Sequence, residues 1–572
     1  LFHPIEIQKV LLKGKHMFEE IYQSLVIMVV SALAALYWGG WLWQRLQLSM
    51  AKHPSLAGHL RWAKRLANWA PAYDYPVERW FCVDHAPEAV QAQRKQALQR
   101  LGDLLAQRSP KTMALTQATK PMVSDMQLIS RYRVPFQFQK FLSENLQIGS
   151  YWAHSKGVWV ADADAQWHMD VTGSYGVNLF GADFYKSCMQ EGMDLVRELG
   201  PILGAYHPCV QENVSMLCQI AHKDEVSFHM SGTEAVMQAV RMARYHTGKR
   251  KLVRFTGAYH GWWDDVQPGP GNPMPPSGDT LTLNEMHAQT LKVLRQRNDI
   301  ACVLVNPLQA MHPNKAAPTD STLMDGSRSM SYDKVAYASW LSELRKVCDE
   351  KGIAFIMDEV FMGFRLGLGG AQEFFGVDAD IVTYGKTLGG GFPIGVVCGK
   401  AKWMRRYDEQ TPGNICFARG TFNAHPGVMG AMNVFLKRVQ SAAIQDVYRK
   451  MEPLWINRLH QLNEQLAGQA LPVRVVGMAT VWAVIYEVPS RYNWMLQFYL
   501  REQGIALSWV GTGRMIFNFA FEDAYFADFC NRFTQAAQAM KNDGWWWVEN
   551  GQSNRTIRRD ILREMIRIKW AV

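Results

Sequence analysis

Four short runs, Leu252–Phe255, Ala301–Val305, Ala354–Met357 and Ile381–Thr383, are almost wholly apolar, and helical patterns separate them. Strands read this way when helices cover both faces of their sheet, so that neither face meets water. The region up to about residue 400 is therefore expected to be an α/β unit on a mainly parallel sheet. A chain of 572 residues can bury such a core and still carry accessory parts. Hydrophobic residues make up 48% of it and charged residues 20%, the composition of a folded globular protein. Nine cysteines are scattered without a CxxC pair, which argues against a zinc site or disulfide framework and for a reducing compartment. The net charge of +10 forms no basic stripe with interleaved aromatics in the central region, so nucleic acid is not an expected partner.

The ends differ in character. No charged residue occurs from Ile21 to Gln44, and Leu25 to Trp43 is apolar apart from Ser31. As a helix that stretch crosses a hydrocarbon layer of roughly 30 Å. Tyr37, Trp38, Trp41 and Trp43 gather at its C-terminal end, as side chains at a headgroup boundary do. A signal peptide fits less well, because bulky aromatics and no small-residue cleavage site follow; a buried core helix is the plain alternative. Arg45, Lys52, Arg61, Lys64 and Arg65 come next, with no acid until Asp74, which places the downstream body in the cytoplasm (at the inner membrane, in a bacterium).

The expected organisation is a short segment at 1–20, a transmembrane helix at 21–44 and a helical connector at 45–150. A cofactor-binding domain with N-terminal strands follows at 151–430, then a smaller α+β domain at 431–548 and a basic amphipathic tail at 549–572. Within the connector, Ala89–Gln107 suits a surface helix. Val158 to Asp170 reads as two short strands around a polar turn. Val473–Val476, Val481–Glu487 and Arg514–Ala520 are the strand candidates of the smaller domain. The tail helix either lies on an anionic membrane surface or packs on its own protein.

Chemistry-bearing residues stand at the ends of the apolar runs. Lys386 lies in Thr383-Tyr384-Gly385-Lys386-Thr387-Leu388-Gly389-Gly390-Gly391, and Asp358 ends Ile353–Met357. A strand-borne lysine on a glycine-rich bend with an aspartate at a second strand tip suits pyridoxal phosphate: the lysine as its Schiff-base partner, the aspartate on the pyridine nitrogen. Taken alone, the two residues also fit a surface loop and a helix cap. Ser231-Gly232-Thr233-Glu234 opens a helix from Ala235 to Thr247 through a capping box, and its free N–H groups can cradle a phosphate or simply be capped. In Gly257-Ala258-Tyr259-His260-Gly261, Tyr259 can lie over a flat ring with His260 in support, or both can be core residues. The stretch Pro268–Gly278 cannot form regular structure and reads as a cover over a site or a long loop.

These motifs, SGTEA at 231–235, GAYHG at 257–261, DEVFMGFR at 358–365 and YGKTLGGGFPIG at 384–395, occur in order and resemble the class III aminotransferases of pyridoxal-phosphate fold type I. With GGAQEFFGV at 369–377 the pattern is most similar to glutamate-1-semialdehyde 2,1-aminomutase-like proteins, over roughly residues 130–545. The resemblance implies Lys386 as Schiff-base and proton-shuttling lysine and Asp358 as the partner of the ring nitrogen. It implies Ser231, Gly232 and Thr233 at the phosphate, Tyr259 stacked on the ring with His260 beside it, and Val360 on the opposite face. Thr421 would reach the phosphate of a neighbouring subunit, so a homodimer with shared sites is implied. Ser174 and Tyr175 of Gly173–Gly176 would stand on the substrate side.

Several positions depart from the family pattern. Asn306-Pro307 replaces Glu-Pro, an insertion follows near Met311–Asp333, and Ala424-His425-Pro426 puts His425 near the cofactor. Trp509–Arg514 is unlike the aminomutase, and Arg514 or Arg365 could hold a carboxylate or a structural partner. The expected enzyme is a membrane-anchored aminotransferase or aminomutase acting on an aldehyde, ketone or amino acid, with a hydrophobic or carrier-tethered substrate. The alternative is decarboxylative condensation of an amino acid with an acyl thioester; a scaffold that kept the fold without activity is a third.

Overall fold

The computed structural model describes residues 4–54, 59–131, 134–267, 278–307, 333–507 and 513–571. All of the Pro268–Gly278 cover except Gly278, most of the Met311–Asp333 insertion and Trp509–Thr512 lie outside the described residues.

A seven-stranded sheet holds Glu225–His229, Gly395–Gly399, Ile381–Gly385, Ala354–Asp358, Ile300–Val305, Lys251–Phe255 and Thr280–Leu283 in that spatial order. Every pairing is parallel except those of Gly395–Gly399, which runs antiparallel to both neighbours. The four apolar runs are all strands, and Ile300–Val305, Ala354–Asp358 and Ile381–Gly385 are buried at every position. Alternate residues sort to the two faces, as a pleated strand requires. Leu252, Leu304, Ile356 and Val397 pack with Val236, Ala239 and Val240 of the helix Gly232–Thr247. Val253, Val303, Phe355 and Val382 pack on the opposite side, with Leu341 and Leu344 of Lys334–Lys351 and Leu217 of Cys209–Ala221. The parallel strands thus present their carboxyl ends, and the turns after them, along one edge of the sheet.

A second unit pairs Val473–Met478, Val481–Tyr486 and Arg514–Ile516 in an antiparallel sheet. The run expected to reach Ala520 leaves this ladder after Ile516. The N–H groups of Ile516 and Phe519 donate to Val171 and Leu179, which ties the unit to the chain around Gly173–Gly176. The strands Trp159–Ala161 and Trp167–Asp170 flank the expected polar turn, and Ile505–Ala506 adds to them in parallel. These N-terminal strands therefore join the second unit rather than the large sheet.

The segment read as a connector also packs into that unit. Trp80, Phe81, Phe138 and Leu142 share one core with Tyr492, Trp494 and Trp545. Its helix Glu88–Arg108 is no simple surface helix, because Arg94, Ala97, Leu98 and Leu101 are buried. Arg94 makes a two-pronged bond to Asp84 (2.9 and 2.7 Å), donates to the carbonyls of Phe81 and Gly544, and lies over the Tyr492 ring. Both partners of this ion pair are out of water. Arg94→Ala strands the Asp84 charge and is expected to cost about 3–5 kcal/mol, whereas Arg94→Met with Asp84→Leu recovers most of it. Urea-unfolding midpoints of the two variants check this.

The N-terminal helix runs from Pro4 to Met50. Its stretch from Leu12 is long and apolar enough to cross a membrane, and side chains such as Leu25, Ile27, Leu33 and Trp38 are exposed. Its foot is fixed to the large unit: Gln47 and Ala51 are buried, and the Ala51 carbonyl accepts from Asn284 N–H at 2.8 Å. The tail helix Asn554–Ala571 docks on its own protein through Glu564, which meets Arg491, Tyr73 and Tyr75, and through buried Ile557.

Candidate active site

Asp358 is the last residue of its strand and Lys386 follows the neighbouring strand, with Asp358 in register with Thr383. Both therefore emerge at the carboxyl edge of the sheet. Lys386 has a φ of +48°. A side chain in that left-handed region costs about 1–2 kcal/mol, and such strain persists only where the surroundings enforce it. Its amine lies over the Phe361 ring, 4.7 Å from the centroid. Burial lowers its pKa to about 8; the Asp358 charge pulls upward, and Arg514 and Arg365 push further down. A neutral amine is thus within reach near physiological pH.

Asp358 is held from three directions. Its Oδ1 accepts from Val360 N–H and from the Thr383 hydroxyl, both at 3.1 Å, and its Oδ2 lies 2.7 Å from His260 Nδ1. His260 is buried, and its Nε2 finds no hydrogen-bond partner among the described residues. His260, expected in a supporting role beside Tyr259, is tied to the aspartate. Tyr259 is 54% exposed, and its carbonyl accepts from Asn306 Nδ2 at 3.3 Å.

Close backbone approaches bring the other motifs to the same edge. Ser231 caps the helix Gly232–Thr247 by accepting from Glu234 N–H. Glu234 returns a bond to Met230 N–H rather than to Ser231, one residue further back than in a regular capping box. A Cβ on Gly232 would strike Val360, one on Gly261 would meet the Thr233 hydroxyl at 2.6 Å, and one on Gly395 would overlap the Ser231 carbonyl. These glycines let the turn after Glu225–His229, the His260 loop and Val360 approach one another closely. A Cβ on Gly176 would meet Phe361 and come within 3.3 Å of the Lys386 side chain. The Gly173–Gly176 turn, with Ser174 and Tyr175 in left-handed conformations and exposed, therefore lies beside the lysine.

Arg514 is half-buried, and its charge acts on Lys386. Arg365 is buried and donates to Thr480 Oγ1 (2.6 Å) and the carbonyls of Phe517 and Gly176, so its donors serve the junction between the two units. His425 caps the helix Pro426–Val439 by accepting from Gly427 N–H. It lines a cleft with Gln190, Met193, Asp194 and Arg197, and that cleft includes neither Lys386 nor Asp358. Thr421 is exposed in the turn before it.

Three contributors escaped sequence reasoning. Thr383 fixes Asp358, and Phe361 packs on the lysine. Glu359 is buried and accepts from Ala371 and Gln372 N–H, and burial pushes its carboxyl up to about 7 against those two bonds. Its only signal was its place in DEVFMGFR, because nothing local tells a buried acid from an exposed one.

The arrangement fits pyridoxal phosphate: a buried amine of lowered pKa, a firmly held carboxylate on an adjacent strand, and the N-terminus of the helix Gly232–Thr247 brought close to both. The model of the class III aminotransferases matches residues 143–537. Glutamate-1-semialdehyde 2,1-aminomutase of Natronomonas pharaonis is 32% identical over 347 residues, spanning 58% of this chain and 72% of that protein. Among solved structures, a transaminase with bound pyridoxal phosphate is 25% identical with a TM-score of 0.59, over 69% of this chain and 92% of the other. A glutamate-1-semialdehyde aminomutase from Pseudomonas aeruginosa shares the fold at 16% identity, with a TM-score of 0.62 over 78% and 99%. The chain belongs to the class III aminotransferases and is a pyridoxal-phosphate-dependent enzyme of fold type I.

Proposed function

We propose that this enzyme is a transaminase or aminomutase held at a membrane by the helix Pro4–Met50, with its body on the cytoplasmic side and a hydrophobic or carrier-tethered substrate. The observation that carries the chemistry is the pairing of Lys386, buried with a pKa of about 8, with Asp358 on the adjacent strand. When bound, pyridoxal phosphate supplies the electron sink that makes a C–H bond beside an amine acidic. Gly232 and Thr233 N–H groups, with Ser231 alongside, bind its phosphate at the helix N-terminus. Asp358, steadied by His260 and Thr383, holds the proton on the ring nitrogen. Val360 and Tyr259 would hold the cofactor ring between them. Lys386 would hold the cofactor, and its amine, with a pKa lowered to about 8, would take and return a proton at the substrate carbon.

Ser174, Tyr175 and Arg514, near the lysine, face the substrate, with His425 on the more distant cleft. A second subunit supplies Thr421, which stands exposed beside Phe422 and near Phe417 and Ile415, all more than half exposed. Such apolar surface along one segment suits a subunit interface.

Incubation with a panel of amino acids tests the reaction type. Transamination bleaches the visible absorbance of the bound cofactor and releases an oxo acid. If the absorbance returns while CoA or a carrier thiol and CO2 appear, the condensation reading replaces it. A second expectation follows from Lys386. Below about pH 8 its amine is protonated and cannot attack a carbonyl, so covalent uptake of the cofactor by stripped protein accelerates with pH and levels off above about 8. A flat profile across that range, followed by stopped-flow absorbance, contradicts the assignment.

A further inference from the structure

The chain carries no acid between Glu20 and Asp74, while Arg45, Lys52, Arg61, Lys64 and Arg65 fall in that interval. The structure gathers part of this charge at the foot of the long helix. Lys52 is part-buried, and the charges that act most on it are the cations Arg61 and Arg45, which add to burial in lowering its pKa. A group of cations so placed is stabilised by an external anion.

The next helix, Leu60–Trp69, starts beside that foot and buries only Ala63. Trp62, Leu66 and Trp69, spaced i, i+4 and i+7, share one face and are 61, 45 and 41% exposed. Arg61, Lys64 and Asn68 project from the other side, and the Arg65 guanidinium lies over the Trp62 ring. An apolar face with tryptophans and a basic back is the composition of a helix that lies in a headgroup layer. The foot that precedes it is tied to the large unit, because the Ala51 carbonyl accepts from Asn284 N–H and Gln47 from the Gln289 amide.

We propose that Arg45, Lys52 and Arg61, together with the Trp62–Leu66–Trp69 face, form a seat for anionic phospholipid headgroups at the cytoplasmic end of the span. The helix Leu60–Trp69 lies in the plane of the interface and holds the body against the membrane. The inference rests on the reading of Pro4–Met50 as an anchor. Continuity with that span and the uniform positive charge select a lipid surface over a second copy of the chain as the occupant.

The test uses the full chain in nanodiscs of phosphatidylcholine alone or mixed with phosphatidylglycerol, with hydrogen exchange read over residues 59–70. Each cation near an anionic surface strengthens binding about fivefold. Exchange in this segment is therefore expected to slow about fivefold or more in the anionic discs, and the difference to vanish in high salt. Arg45→Glu, Lys52→Glu and Arg61→Glu combined removes the difference and leaves the bound-cofactor absorbance intact. Equal exchange in both discs, or equal protection in detergent, overturns the proposal; the latter result assigns the face to a protein contact. Release of the chain by alkaline carbonate overturns the anchor reading itself, whereas retention with equal exchange overturns the seat alone.

Discussion

Lys386→Ala is expected to lower turnover by about four orders of magnitude or more, since the substitution removes both the covalent attachment and the proton carrier. Borohydride then fixes no cofactor to the chain, while the protein remains folded. Its stability changes in a direction that burial dictates. In the native fold the amine has a pKa of about 8, against an ordinary 10.5. The unfolded chain thus binds more protons between those values, so stability rises with pH across that window. Below about 8 the full cost of burying the charge is present, and it is relieved as pH climbs. The cofactor-free native chain gains stability over that range relative to Lys386→Ala, which lacks the slope. Parallel denaturant titrations at neutral and alkaline pH measure the difference. A variant that keeps borohydride-fixed cofactor or substantial turnover removes Lys386 from the mechanism.

Much of the large unit was legible because its signals are local. Almost wholly apolar runs of three to five residues become buried strands, and Asp358 and Lys386, just past two of them, have to emerge at the carboxyl edge. The helix after Ser231 was legible down to its stop, where Gly248 takes the left-handed cap conformation. What the sequence hid is set by distant partners. His260 finds Asp358 across 98 positions, and Arg94 finds Gly544 across 450. The connector looked like a linker because its amphipathic helices are partly basic. Its burial depends on Trp545 and Tyr492, which come some 400 residues later. The strand expected to run from Arg514 to Ala520 was cut short for a similar reason: its later N–H groups are claimed by Thr480 and Leu179. The departures at Asn306 and His425 proved to be of different kinds. Asn306 bonds the Tyr259 backbone at the mouth of the site, whereas His425 caps a helix and faces a separate cleft.

Asp358→Asn is the second large effect and separates the cofactor's electronics from its attachment. The amide has nearly the shape of the carboxylate and still accepts from Val360 N–H and the Thr383 hydroxyl through one oxygen. It lacks the negative charge that would hold a proton on the ring nitrogen. Removing a preorganised electrostatic partner of this kind costs about 10²–10³-fold in turnover. Lys386 is untouched in this variant, so borohydride still fixes the cofactor. Asp358→Ala goes further, because it also leaves His260 buried without its 2.7 Å partner. An orphaned buried donor costs about 1–3 kcal/mol, so the alanine variant is expected to lose stability that the asparagine variant keeps. His260→Asn supplies the control for positioning: it frees the aspartate on one side and lowers turnover less than Asp358→Asn, with the charge still in place. If Asp358→Asn turns over as fast as the native chain, the ring-nitrogen partner lies elsewhere, and the buried pair with His260 is a feature of the core.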